Sequence, residues 1–164
     1  VITGIAGKKG FSVLTIEKDL MNAEIGFGRK VLEVFEDNDL SFEHLPSGID
    51  TMSLVISSAA LEGRRDKLMQ SVARAVHPDS VFIEDGLALV AVVGRGMIKA
   101  KGTAARVCDA LARADVNIRM IDQGSSELNI IVGVDEDEYE TAVAAIYGEF
   151  VRSRLSKSRP YRHR

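Results

Sequence analysis

The chain has 164 residues, of which 46% are hydrophobic and 27% charged; that suits one ordinary domain or two small ones around a packed core, and argues against wholesale disorder. Its 21 Lys/Arg against 24 Asp/Glu leave a formal net charge of -3, which argues against a dedicated nucleic-acid binder, and no apolar run is long enough to span a membrane. The one cysteine, Cys108, cannot close an intrachain disulfide, so a reducing compartment, the cytoplasm, is expected.

In chain order, residues 1–6 are a short β-rich run that ends at the turn signal Gly7-Lys8-Lys9-Gly10. The opening Val1-Ile2-Thr3-Gly4-Ile5 is neither a signal peptide nor an initiator methionine, so the sequence reads as a piece of a longer protein. Residues 11–16 are a second strand, and 17–25 a loop carrying Asp19, Asn22 and Glu24. Residues 26–36 have helical spacing, with Phe27, Val31, Val34 and Phe35 on one stripe. Leu40, Phe42 and Leu45 alternate as a half-buried strand until Pro46-Ser47-Gly48 breaks it. Residues 51–57 are the next strand. A helix over 64–76 places Leu68, Val72 and Val76 inside, and His77-Pro78 stops it.

Residues 80–83 are a short strand and Glu84-Asp85-Gly86 a turn. Strand 87–93 and a glycine- and lysine-rich loop over 94–102 follow. Ala104, Val107, Cys108, Leu111 and Ala112 form a helical stripe, with Cys108 as a small buried thiol. Val116, Ile118 and Met120 alternate, as do Leu128, Ile130, Val132 and Val134. Tyr139, Ala142, Val143, Ile146 and Phe150 make a last helix. Residues 151–164 hold six Lys/Arg and no acid, a solvated, disordered tail; without it the balance is 15 basic against 24 acidic residues.

The chain repeats itself at an interval of 76. Met21 falls on Met97, Gly26 on Gly102, Val31 on Val107, Asp39 on Asp115 and Gly48 on Gly124, with apolar on apolar between them. Each copy reads strand, loop, helix, strand, turn, strand, helix. The strand at 80–83 completes βαββαβ in the first copy, the order of an α+β ferredoxin-like unit. The second copy lacks a closing strand, and the chain has one spare at 1–6. The economical solution inserts the first unit, 11–85, inside a second made of 1–7 plus 86–150, with their sheets side by side.

Catalytic motifs are absent. Gly4-Ile5-Ala6-Gly7-Lys8-Lys9-Gly10 has only two residues between its glycines, where a phosphate loop needs four, and no Ser or Thr directly after the lysine. Gly94-Arg95-Gly96 starts a dinucleotide fingerprint, but Lys99 stands where the third glycine belongs. His44, His77 and His163 have no partner at metal-ligand spacing. There is no nucleophile elbow, and Asp135-Glu136-Asp137-Glu138 suit the start of a helix. A repeated unit without a nucleophile–base constellation points to a sensing or pairing module.

The positive signal is the loop–glycine–helix junction of each copy, Asp19 to Gly28 and Arg95 to Thr103. The first amides of a helix are unpaired and favour an anion such as an α-carboxylate. The bland alternative, a glycine that merely permits a tight turn, stays open.

These junctions, the stretch HLPSGID at 44–50, and ARVCDALARADVNIRMIDQGSSELNIIVGV at 105–134 resemble the paired ACT domains at the C-terminus of aspartokinase. The resemblance covers about residues 2–150 and leaves out the basic tail. It implies ferredoxin-like ACT domains, the first inserted in the second, forming a homodimer. It also implies an upstream kinase domain of the same chain that phosphorylates aspartate with MgATP, and no cofactor or metal in the present chain. In that family lysine or threonine binds at ACT–ACT interfaces and inhibits the kinase. Carried over, the resemblance makes Met21, Asn22, Glu24, Ile25, Gly26 and Phe27 the loop wall of the effector pocket. Ser41, Phe42 and Glu43 line the adjoining strand, and Ile49, Asp50 and Thr51 come from the next. Amides near Gly26 would hold the carboxylate, and Glu43 or Asp50 an ammonium group, which suits lysine better than threonine. In the second copy Ile98, Ala100 and Lys101 replace Asn22, Glu24 and Ile25, while Arg119 and Ser126 replace Glu43 and Asp50. That copy then serves pairing. Gln123 resembles a threonine-contacting position, which keeps threonine open, as does an effector-free dimerisation scaffold.

Overall fold

The computed structural model describes residues 4–94, 101–124 and 129–157. Two compact units emerge, 10–87 and 1–9 plus 88–164. Two 14-residue strands, β1 (Gly4–Glu17) and β3 (Ser80–Val93), each contribute a segment to both units.

In the unit 10–87 the other elements are α1 (Phe27–Asp37), β2 (Thr51–Ser57) and α2 (Arg65–Val76). The strand order is β2-β1-β3. β1 and β2 are antiparallel, in a register that sets Leu14 opposite Leu54 and Ile16 opposite Met52. These side chains alternate onto one face and form a core with Phe27, Val31, Val34 and Phe35 of α1 and Leu68, Val72 and Val76 of α2. Each fully buried aliphatic side chain stabilises the unit by about 1.5–3 kcal/mol. Ser12, on the same strand face, is fully buried; its hydroxyl donates to Asp85 Oδ1 at 2.5 Å and is hydrogen-bonded to Ser58 Oγ at 2.7 Å.

The other unit contains α3 (Thr103–Arg113), β4 (Met120–Asp122), β5 (Asn129–Asp135) and α4 (Tyr139–Lys157), with strand order β1-β3-β5-β4. Ala88, Val90 and Val92 of β3 and Ile130, Val132 and Val134 of β5 meet Val107 and Leu111 of α3 and Ala142, Ile146 and Phe150 of α4. The fold is α+β and ferredoxin-like, with helices packed on an antiparallel sheet.

The 76-residue interval is written into the backbone. Gly10 and Gly86 (φ 88° and 75°), Gly26 and Gly102 (80° and 84°), and Asp39 and Asp115 (51° and 56°) are three left-handed pairs at that spacing.

Several local expectations are corrected. Gly7 to Gly10 and Glu84 to Gly86 are not turns but stretches of the continuous strands β1 and β3; one left-handed glycine is accommodated within a strand without reversing it. The strand expected over 40–45 is irregular. It meets β2 through the isolated bridge His44–Val55 and, just beyond the stretch, Ser47–Met52, rather than through a continuous ladder, and Pro46 has no N–H to donate to one. In α3 the buried residues are Val107, Ala110 and Leu111; Ala104 and Ala112 are exposed and Cys108 is half-buried. Alanine is compatible with either face, so the larger Val107 and Leu111 set the helix orientation. The last helix does not stop at Phe150 but continues to Lys157, since no breaker occurs before Pro160.

Candidate functional site

The loop between β1 and α1 is a short 3₁₀ turn, Met21–Ala23, tied to the segment before β2. Lys18 N–H donates to Asp50 O at 2.9 Å and Asn22 N–H to Ile49 O at 3.1 Å. Leu20 N–H donates to Asp50 Oδ1 at 3.1 Å, and Asp19 N–H to Asp79 Oδ2 at 2.7 Å. The structure therefore brings the start of the loop, Lys18 to Asn22, together with Ile49 and Asp50.

Gly26 takes φ 80° as the N-cap of α1, and no side chain caps the helix. A Cβ at Gly26 would meet nothing within 4 Å. Glycine is demanded there by the left-handed backbone, not by crowding from this chain. The first intrahelical bond is Lys30 N–H to Gly26 O at 3.1 Å, so the amides of Gly28 and Arg29 precede any intrahelical acceptor, and no acid stands in the first turn. An uncapped helix start of this kind suits a carboxylate.

The remaining residues divide. Met21 and Phe27 are core side chains, 4% and 3% exposed. Asn22, Ile25, Ile49, Asp50 and Thr51 are exposed; Ile25 is 97% so. Ser41, Phe42 and Glu43 lie elsewhere in the unit. Glu43 N–H pairs with Val55 O at 2.8 Å, four residues along β2 from Thr51, about 13 Å at the strand rise. Phe42 stands edge-on to Phe35, with ring centroids 6.5 Å apart. Within one copy, Glu43 and Asp50 therefore do not converge.

Sequence reasoning missed Lys18 and Lys30. Lys18 Nζ donates to Glu24 Oε2 at 2.5 Å and to Val76 O at 2.6 Å, and lies 5.7 Å from the Phe27 ring centroid. Lys30 Nζ donates to Glu24 Oε1 at 3.0 Å. The bond from Lys18, and then that from Lys30, hold the Glu24 carboxyl below its usual pKa. The available signal was the repeat itself: Lys18 and Glu24 fall on Gly94 and Ala100.

In the other unit, Gly102 caps α3 with φ 84° and no side-chain cap. Residues 95–100, which include Ile98 and Ala100, and Ser126 lie outside the described residues. Arg119, in the slot of Glu43, bonds Asp135 Oδ1 at 2.9 Å. Gln123 is exposed just beyond β4. Among the described residues, no group of His, Cys, Asp and Glu is placed to hold a metal ion, and no helix is long and apolar enough to cross a membrane.

An ACT-domain family model matches residues 90–150. The chain is 43% identical to aspartokinase 3 of Bacillus subtilis over 91% of its own length and 33% of that protein's. It matches the crystal structure of the aspartate kinase of Clostridium acetobutylicum, described as an allosteric enzyme, with a TM-score of 0.88 and 53% identity over 92% of this chain and 35% of that one. It also matches Escherichia coli aspartokinase III in its T-state complex with lysine and aspartate, with a TM-score of 0.71 and 25% identity over 90% of this chain and 32% of that one. The chain thus spans about a third of the length of the curated relatives it matches. It carries an ACT domain and belongs to the aspartokinase family as a regulatory ACT region.

Proposed function

We propose that this region senses an end-product amino acid, L-lysine foremost, and feedback-inhibits phosphorylation of aspartate by ATP. The phosphotransfer itself, with its MgATP, belongs to an N-terminal kinase domain of the whole protein, in the cytoplasm. The observation that carries the reading is the loop over 18–26. Its backbone is bonded to Ile49 and Asp50 and ends at Gly26, where an uncapped helix begins. The α-carboxylate of the effector binds the first amides of α1, where partial positive charge gathers. Its ammonium groups bind carboxylates through charge-assisted hydrogen bonds. The similarity to a lysine-bound aspartokinase supports this choice of effector.

The positions of the two candidate acids add a requirement. Glu43 and Asp50 lie toward opposite ends of β2, so a pocket using both draws one of them from a second copy. The reading therefore includes a homodimer. Effector binding inhibits by favouring the state in which the kinase domain is impaired.

Calorimetric titration of the chain with L-lysine, and with L-threonine in parallel, tests this. Lysine binding that is lost in Glu43→Ala and Asp50→Ala, with dimers retained, supports the sensor and its pocket. Threonine binding alone moves the site to Gln123. A stable dimer that binds neither amino acid leaves a dimerisation scaffold.

A further inference from the structure

The stretch entering α1 is held in an unusual way. Residues 18–22 are fixed by backbone bonds to Ile49 and Asp50. The following residues have less: Ile25 is 97% exposed and packs on nothing, and Glu24 and Phe27 make only short-range backbone bonds, to Met21 O at 3.1 Å and to Glu24 O at 3.3 Å. Phe27 is anchored by its own side chain in the core; between Asn22 and Phe27 the stretch is tied through the Glu24 carboxylate, which Lys30 of α1 also bonds and which the Lys18 side chain links to α2. The Lys18 ammonium enters a three-sided cage of the Glu24 carboxylate, the Val76 carbonyl and the Phe27 ring face. Val76 is the last residue of α2, so its carbonyl lies at the negative end of that helix, and each wall of the cage is one that a cation favours.

The repeat supplies an independent comparison. The second copy has Gly94 for Lys18, Ala100 for Glu24 and Thr103 for Phe27, yet it builds the equivalent helix, with Gly102 in the same left-handed backbone as Gly26. The cage is therefore not a requirement of this fold. It is confined to the copy whose junction carries the candidate effector residues.

We propose that Lys18 is a positioning residue of the effector site: by binding Glu24 to the end of α2, it holds the entrance to α1 in the shape that presents the Gly28 and Arg29 amides. The inference rests on the effector-sensing reading above. Lys18 touches no effector in this arrangement; it acts through Glu24.

Amide hydrogen exchange and calorimetry on the full chain test it, using Lys18→Met, which keeps the apolar stem, and Glu24→Gln, which opens the same cage from its exposed side and stands in should the first variant fold poorly. Both are expected to speed exchange of the amides over 24–29 and to raise the Kd for L-lysine roughly tenfold, the weight of one charge-assisted hydrogen bond. The double variant is expected to be no worse than either single one, since both remove the same link. Unchanged exchange over 24–29 in both variants overturns the clamp. Faster exchange with the original lysine affinity overturns its role in binding. If the unmodified chain binds neither lysine nor threonine, the sensing reading fails, and with it the claim on binding, while the exchange data still decide whether the clamp exists.

Discussion

Asp39 and Asp115 stand 76 positions apart and close their helices with the same left-handed residue, φ 51° and 56°. Asp39 N–H reaches Glu36 O at 3.0 Å and Leu40 N–H reaches Phe35 O at 2.9 Å; Asp115 N–H reaches Ala112 O at 3.1 Å and Val116 N–H reaches Leu111 O at 3.0 Å. This is the Schellman pattern, completed by an apolar residue folded back on the helix. Glycine is the usual occupant of the left-handed position, and aspartate bears a steric cost there. Asp39→Gly and Asp115→Gly are each expected to stabilise the chain by about 0.5 kcal/mol, after allowing for the freer unfolded chain. Urea midpoints measure this; a clear loss of stability in either variant would mean that the aspartate side chain has a partner worth more than its strain.

Gly7 answers to space rather than to backbone angle. A Cβ there would lie 2.6 Å from the Tyr139 ring and 3.0 Å from Leu89 O. The tyrosine can swing away; the carbonyl cannot move without disturbing β3. Gly7→Ala is expected to cost about 2 kcal/mol by overpacking. Removing the ring relieves the larger clash, so Gly7→Ala with Tyr139→Ala should cost less than the sum of the two single changes. Strict additivity in thermal melts would show that the ring is not what excludes a side chain.

How much of this could be read from the chain depended on side-chain size and on distance in sequence. Phe27, Val31, Val34 and Phe35, or Leu68, Val72 and Val76, are large, recur at helical spacing, and are buried as that spacing demands. The stripe of α3 was blurred because two of its five residues, Ala104 and Ala112, are alanines, and alanine fits either face. Gly-Lys-Lys-Gly read as a turn because glycine signals permit a reversal without compelling one; the ladder of β1 carried the chain straight on. At the site, a glycine opening a helix in both copies was visible. The Lys18–Val76 contact was not, since it joins residues 58 apart and no local pattern encodes it. Nor could residue types reveal that Glu43 and Asp50 sit toward opposite ends of one strand.

Glu149 gives a pH dependence with a definite sign. Arg106 Nε bonds Glu149 Oε1 at 2.9 Å, Arg113 bonds Oε2 at 2.7 Å, and Arg106 also covers the Phe150 ring at 4.4 Å. The bond from Arg106 lowers the carboxyl's pKa most; burial opposes it, and Arg113 adds to it. A carboxyl lowered in the folded state stabilises fully above its unfolded pKa, about 4.3, and loses that stabilisation as pH falls through the folded value. Stability should thus be flat near neutrality and fall in acid. Glu24, Asp85 and Glu140 are lowered as well, so the slope is shared, and the difference from Glu149→Gln isolates one group. That variant is expected to be less stable at pH 7 by about 1 kcal/mol and to converge with the unmodified chain as pH falls through the lowered folded value. Parallel curves from neutral to acid would refute the assignment.

Gly26 and Gly102 separate conformation from recognition. Both are left-handed N-caps, at φ 80° and 84°, with no heavy atom within 4 Å of an added Cβ. Alanine at either position is therefore opposed only by the left-handed backbone, about 1–2 kcal/mol, and the two losses of stability should match within about 0.5 kcal/mol. Lysine binding should not match. If the first amides of α1 hold the effector carboxylate, a methyl group at Gly26 disturbs the surface on which it rests, and affinity should fall at least about tenfold. Gly102→Ala, in the copy that lacks Lys18 and both candidate acids, should leave lysine affinity within about twofold. Equal stability costs with unequal binding costs would place the effector on the first junction. Equal effects on both would mean that the glycines only shape the helix starts, and the carboxylate site would have to be sought elsewhere.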